Sequence, residues 1–188
     1  MKVILASKSP RRRELLSELV DDFEIVTREC DETLPPKIHP KQGVEMLAIR
    51  KGGAVIGSVD CDALVISSDT LVELDGVALG KPKDKQDAKS MLLKLSGKGH
   101  NVHTGIAVHY KGSVFSGVDS TTVYFRSISE SEIDDYIASG EPMDKAGSYG
   151  IQGLGSRFVE RYDGRFDTVV GLSLNLTEQL MKKALKNE

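Results

Sequence analysis

The amino-acid sequence predicts an α/β fold with a mixed, twisted sheet and helices around it, on three observations. Apolar stretches of strand length alternate with stretches of helical periodicity from one end of the chain to the other. Two long strand-like runs, 102–110 and 113–126, have antiparallel character, which makes the sheet mixed rather than purely parallel. Nothing repeats internally and no linker is long enough to separate independent domains, so residues 1–188 read as a single domain of two lobes.

The elements follow in order. Residues 2–6 form a short apolar strand. In the helix after it, Ser9 is the N-cap and Pro10 the first residue, where a missing N–H costs nothing, and Leu15, Leu16 and Leu19 carry the helix to about residue 19. Residues 23–27 read as the second strand and the proline-rich stretch 34–40 as a loop. A helix over about 42–56 is weakened by Gly52 and Gly53, each by up to about 1 kcal/mol. Residues 63–67 are a buried strand, and 70–74 with 77–79 form a hairpin around Asp75-Gly76. Asp84 caps a helix whose inner face is Ala88, Met91, Leu92 and Leu95 and which Gly97 stops. After the two long strands, Ser129 and Glu132 make a capping box for a helix ending near Gly140. A glycine-rich segment, two strands around Asp163-Gly164 and a final helix bearing Leu180, Met181, Ala184 and Leu185 complete the chain.

Composition limits function. With 188 residues, 39% hydrophobic and 28% charged, the chain can bury a sizeable core. A formal net charge of −3 argues against a general nucleic-acid binder. No apolar run approaches the roughly 20 residues of a membrane span. The N-terminal strand and basic helix lack the apolar stretch of a signal peptide, so a cytoplasmic protein with neither membrane nor nucleic-acid partner is expected. Cys30 and Cys61 lack metal or redox spacing and read as free thiols. His100 and His103 fall on opposite faces of a strand, which does not suit a zinc site.

Against that mildly acidic background, the run Ser7-Lys8-Ser9-Pro10-Arg11-Arg12-Arg13-Glu14-Leu15-Leu16 puts three arginines at the partially positive end of a helix. A phosphate bound there accounts for them, and so does a solvated or RNA-binding basic patch. Helix phase puts Arg12 near the middle of the apolar face, with Arg11 and Arg13 to either side. Asp69, in Val65-Ile66-Ser67-Ser68-Asp69-Thr70-Leu71-Val72, lies in an apolar strand run. It must be paired, metal-bound or catalytic there, or cap a turn at the strand's end.

Lys51 shares the apolar stripe of Val44, Leu47, Ala48 and Val55, and either snorkels to the rim of the core or points into a cleft. Lys81 follows the hairpin in Leu79-Gly80-Lys81-Pro82. Asp31-Glu32 is a solvated pair unless it joins Asp69 in holding magnesium, which takes one or two carboxylates plus phosphates and waters. The segment Asp144-Lys145-Ala146-Gly147-Ser148-Tyr149-Gly150-Ile151-Gln152-Gly153 joins glycines to a lysine and a glutamine, as suits a ligand-binding loop. Arg12, Lys51, Lys81 and Lys145 supply charge for a triphosphate, and Asp69 and Glu32 supply a metal site and a base. That set suits attack of water on a phosphorus atom.

These segments, together with His100-Asn101-Val102-His103-Thr104-Gly105 and Val169-Val170-Gly171-Leu172, occur in an order that resembles the Maf family of nucleoside-triphosphate pyrophosphatases over essentially the whole chain. The resemblance implies a fold similar to the inosine-triphosphate pyrophosphatases, with a cleft between two lobes. It also implies hydrolysis of a nucleoside triphosphate to the monophosphate and pyrophosphate with Mg²⁺, Mn²⁺ or Co²⁺. Carried onto this chain, it makes Asp69 the base that activates water and Glu32 its partner in holding the metal. Ser7, Arg12, Lys51 and Lys81 become phosphate-side contacts, with Lys51 and Lys81 counted beside Asp69 as catalytic; Arg11 and Lys145 are expected from their charge to join in binding the substrate.

Tyr149-Gly150-Ile151-Gln152-Gly153 resembles the branch acting on dTTP and UTP, with Arg12, Thr70 and Gln152 at its selectivity positions. The branch acting on 7-methyl-GTP has a Lys-Ser-Glu type sequence where Gly150-Ile151-Gln152 stand here. An amide that both donates and accepts suits a pyrimidine edge. The chain departs from the family at Ser173, where proline is usual, and at Gly52-Gly53, beside Lys51. The family name also carries a competing reading, a nucleotide-binding regulator of septum formation without turnover, and it leaves room for a homodimer. A phosphatase acting on the γ-phosphate is a third reading.

Overall fold

The computed structural model describes residues 1–186 and shows a seven-stranded mixed sheet flanked by helices. The elements are β1 (Val3–Leu5), α1 (Pro10–Leu16), β2 (Glu24–Ile25), α2 (Pro40–Ile56), β3 (Leu64–Leu74), β4 (Val77–Leu79), α3 (Lys85–Leu95), β5 (Gly99–Tyr110), β6 (Ser113–Phe125), α4 (Glu130–Ala138), β7 (Val159–Asp163), α5 (Phe166–Val170) and α6 (Leu174–Lys186). The strand order is β2-β1-β3-β5-β6-β7, with β4 also paired to β3. β1 runs parallel to β2 and β3, in the register Ile4 opposite Val65, whereas β3–β4 and β6–β7 are antiparallel.

The chain forms two compact units. Among the described residues, the first comprises 1–70, 104–119 and 171–186, and the second comprises 71–103 and 120–170. In the first, Ile4, Ala6, Val55, Ala63 and Val65 form an apolar cluster under α2. The second is built around Val72, Leu92, Leu95, Phe125, Ile133, Tyr136 and Phe158, all buried, with Tyr149 edge-on to Phe125.

Local signals set most boundaries. Ser9 caps α1, its Oγ accepting from the Arg12 N–H at 3.4 Å. The capping box of Ser129 and Glu132 is formed, and Asp84 caps α3 by accepting from the Asp87 N–H at 2.8 Å. Asp75 and Gly76 both take positive φ, as a two-residue hairpin turn requires. Both cysteines are free.

Four expectations are corrected. α1 stops at Leu16, beyond which the N–H groups of Glu18 and Leu19 turn to carbonyls three residues back, those of Leu15 and Leu16, at 3.1 and 2.9 Å. α2 begins at Pro40, with His39 Nδ1 accepting from the Lys41 N–H, so the proline opens the helix rather than ending the loop. Residues 64–74 are one continuous strand, so Asp69 lies inside a strand and not at its end. Only one strand flanks Asp163-Gly164. Thr121 Oγ1 brackets Arg165, accepting from its N–H and donating to its carbonyl, both at 2.9 Å, and the chain continues as α5.

Gly52 and Gly53 have different reasons to be glycine. A Cβ on Gly52 would lie 2.5 Å from His109 Cδ2 and 2.6 Å from Ser67 Oγ, so α2 touches β5 and β3 there. At the exposed Gly53 the nearest atom would be 3.9 Å away. Gly53→Ala is therefore expected to stabilise the protein by up to about 1 kcal/mol through helix propensity. Gly52→Ala is expected to destabilise it by about 1–3 kcal/mol through overpacking, both read from urea midpoints at unchanged slope.

Candidate active site

The first unit's site is organised by four consecutive polar residues of β3, Ser67-Ser68-Asp69-Thr70, three of them buried. Alternation sends Ser67 and Asp69 to one face of the strand and Ser68 and Thr70 to the other. On the α2 face, Ser67 Oγ donates to the Ala48 carbonyl at 2.7 Å and Asp69 Oδ1 accepts from Lys51 Nζ at 2.5 Å. On the opposite face, Ser68 Oγ donates to the Gly171 carbonyl at 2.7 Å, and Thr70 Oγ1 lies 3.0 Å from Thr104 Oγ1. Each polar side chain in the strand thus meets a partner set by its parity.

Arg12 closes the second face. Its Nε donates to the Gly171 carbonyl at 2.9 Å, one terminal nitrogen donates to the Ser68 carbonyl at 2.7 Å and to Ser7 Oγ at 3.4 Å, and the other donates to Thr70 Oγ1 at 3.1 Å. Four of the guanidinium's five N–H groups are accounted for, every one by a neutral acceptor. Burial lowers the Arg12 pKa and the charge of Arg11 adds to this, while Asp69 and Glu32 oppose it. Arg11 is half-buried and Arg13 exposed.

On the α2 face, Lys51 sits between two carboxylates, with Glu32 Oε2 3.3 Å from its Nζ in addition to Asp69. Glu32 is 62% exposed at its side chain and lies in the loop between β2 and α2. Arg50, the residue before Lys51, pins that loop by donating to the Thr33 carbonyl at 2.7 Å and to the Asp31 carbonyl at 3.1 Å. The Asp31 carboxyl, accepting from the Thr33 N–H, is held below its usual range.

Asp69 and Glu32 are the pair whose chemistry suits a hard divalent ion, which takes one or two carboxylates with phosphate oxygens and waters. Among the described residues no three His, Cys, Asp or Glu side chains gather as a metal site, so the donor set does not suit an all-protein cage of the zinc type.

The second unit brings Lys81 and Lys145 onto connected segments. The Gly147 N–H donates to the Gly80 carbonyl at 3.0 Å, tying the turn of exposed Lys81 to the glycine-rich segment. Lys145 Nζ donates to the Glu141 carbonyl at 2.8 Å and to Asp144 Oδ1 at 2.6 Å. Gln152 is exposed on the same segment, between Gly150 and Gly155. His100 and His103 go to different partners, Tyr149 Oη at 2.8 Å and the Glu73 carboxylate at 2.6 Å, and burial pushes His100 down to about 4.

Arg50, Ser67, Ser68 and Gly171 were not found from sequence. The two adjacent serines carried a usable signal, since hydroxyls within a buried apolar run must find partners. Arg50 carried none: its role depends on a loop that comes close only in three dimensions.

Comparisons with known proteins bear on this geometry. A dTTP/UTP pyrophosphatase of Vibrio cholerae is 50% identical over 182 residues, covering 97% of both chains. One from Pelotomaculum thermopropionicum is 46% identical over 184 residues, 97% of this chain and 96% of the relative. The structure of the Staphylococcus aureus Ham1 protein matches with a TM-score of 0.51 at 17% identity, across 100% of this chain and 95% of that one, which shows a shared fold. The family model described as Maf-like protein matches residues 2–184, and the chain belongs to the Maf family.

Proposed function

We propose that this chain is a nucleoside-triphosphate pyrophosphatase that converts dTTP and UTP, and pyrimidine nucleotides modified on the base, to the monophosphate and pyrophosphate. Support comes from relatives at 43–50% identity over 97% of the chain, each called a dTTP/UTP pyrophosphatase. The observation that carries the chemistry is the Asp69–Lys51–Glu32 arrangement, two carboxylates with a lysine between them beside the arginine helix.

In this reading Asp69 is the base. Lys51 occupies its Oδ1, and Oδ2 takes the proton of the water that attacks the α-phosphorus. Water's oxygen forms the new bond to phosphorus, and the bond from phosphorus to the bridging oxygen breaks, releasing pyrophosphate. Lys51 turns from the carboxylates to the phosphate oxygens as these arrive, and Ser7, Lys81, Lys145 and the Arg11–Arg12 pair contribute to holding the triphosphate. Glu32 and Asp69 would hold a divalent metal, Mg²⁺, Mn²⁺ or Co²⁺, which supplies charge neutralisation on the phosphate oxygens. Thr70, Arg12 and Gln152 select the base.

The decisive assay incubates the protein with dTTP, UTP and 7-methyl-GTP plus Mg²⁺ or Mn²⁺ and identifies the products. Pyrophosphate from dTTP and UTP is expected; release of orthophosphate, or saturable binding with no product, would refute the reading. Asp69→Asn should lower kcat by about 10²–10⁴-fold while nucleotide binding, followed by calorimetry, persists. Arg12→Lys should remove most activity and destabilise the protein by roughly 1–3 kcal/mol, because an ammonium cannot serve four acceptors spread around a planar fork. Arg13→Lys should alter neither stability nor turnover appreciably.

A further inference from the structure

The glycine-rich segment closes around one carboxylate. Glu141 Oε2 accepts from the Leu154 N–H at 2.8 Å, and Oε1 accepts from the Gly155 N–H at 3.1 Å and from Tyr136 Oη at 2.9 Å. Tyr136, fully buried, in turn accepts from the Gly150 N–H at 3.2 Å. Gln152 is therefore flanked on both sides by backbone N–H groups tied to this pair, at 150 before it and at 154 and 155 after it.

The glycines belong to the same construction. A Cβ on Gly153 would lie 2.6 Å from Glu141 Cδ, and one on Gly155 would lie 2.8 Å from Tyr136 Oη. Such approach leaves no room for any side chain, which explains the glycines better than a need for flexibility does. Burial works against the Glu141 charge, but the hydrogen bonds from Leu154, Gly155 and Tyr136 outweigh it, so its pKa is lowered and the carboxylate is ionised as three donors require. On the other side of the segment, Tyr149 is fixed by His100 and by the Phe125 ring.

We propose that Glu141, with Tyr136, is a specificity-determining positioning residue: it fixes the backbone on both sides of Gln152 and so sets how the Gln152 amide meets the pyrimidine base. This rests on the reading of Gln152 as the residue that contacts the base. Glu141 itself touches no substrate in this scheme. It acts only by preventing residues 150–155 from sampling other conformations, so its loss weakens base selection and spares the phosphate chemistry.

The test measures kcat and KM by pyrophosphate release for dTTP, UTP and CTP in wild type, Glu141→Ala, Glu141→Gln, Tyr136→Phe and Gln152→Ala. Glu141→Ala is expected to raise KM for dTTP on the order of tenfold, to leave kcat within about threefold, and to shrink the preference for dTTP over CTP toward that of Gln152→Ala. Tyr136→Phe, which removes one donor to Glu141 and the acceptor of Gly150, should move the same ratio by a smaller factor. It decides the matter if Glu141→Ala does not fold. Glu141→Gln keeps an acceptor oxygen but turns an N–H toward one backbone donor, so it should rescue only part of the selectivity.

A uniform fall in kcat/KM for all three nucleotides, with a lowered melting temperature and an unchanged preference, would reduce Glu141 to a structural role and overturn the proposal. If Gln152→Ala shifts the preference while Glu141→Gln and Tyr136→Phe do not, the clamp alone falls. If Gln152→Ala leaves the preference untouched, the base-contact reading falls, and the proposal with it.

Discussion

A buried strand that carries four polar side chains in a row leaves its surroundings little freedom. Unpaired, each of those groups would cost roughly 1–3 kcal/mol, and a carboxylate far more. β3 meets that constraint through alternation. Ser67 and Asp69 require acceptors and cations from α2, and Ser68 and Thr70 require them from the side of Arg12 and Gly171. The position of α2 on the sheet, the direction of the Arg12 side chain and the conformation at Gly171 all follow from satisfying those four residues.

This explains why α2 tolerates glycine beside Lys51. The Ser67 hydroxyl reaches the Ala48 carbonyl at 2.7 Å, which draws the helix close to the strand at the level of Gly52. A side chain at 52 would push the helix away and lengthen the path from Lys51 to Asp69. The helix gives up propensity there, and in exchange the lysine reaches a carboxylate two strand residues beyond Ser67, on the same face. The local penalty in α2 and the close ion pair are two aspects of one packing choice.

The sequence exposed the fold better than it exposed the site. Elements with strong local chemistry could be read directly: the Asp75-Gly76 turn, the capping box of Ser129 and Glu132, and the Asp84 cap all form. Two helix ends turned on local contacts, after Leu16 and at His39, and other boundaries failed where the deciding partner was distant. Nothing near Asp163-Gly164 shows that Thr121, more than forty residues away, holds Arg165 on both backbone groups and turns the chain out of the sheet. Asp69 could be read inside an apolar strand run or as a cap at a strand's end, since serine and aspartate usually mark turns, and tertiary partners decide for the strand. Lys51 could be placed on the apolar stripe but not assigned a direction. The choice between core rim and carboxylate depended on Glu32 and Asp69 arriving from other parts of the chain.

α1 is only seven residues long, and Ser9 Oγ already accepts from one of its first N–H groups, that of Arg12. What matters more is that Arg12 reaches two carbonyl oxygens and two hydroxyls and no anion. Neutral acceptors orient a guanidinium without cancelling its charge, so the positive potential of Arg12, with Arg11 and Lys8 beside it, persists at the end of α1. Carboxylates in those four places would have cancelled most of that charge locally. An arginine used in this way as an internal brace carries no carboxylate hydrogen-bonded to it, and Asp69 and Glu32 offset its charge only through space.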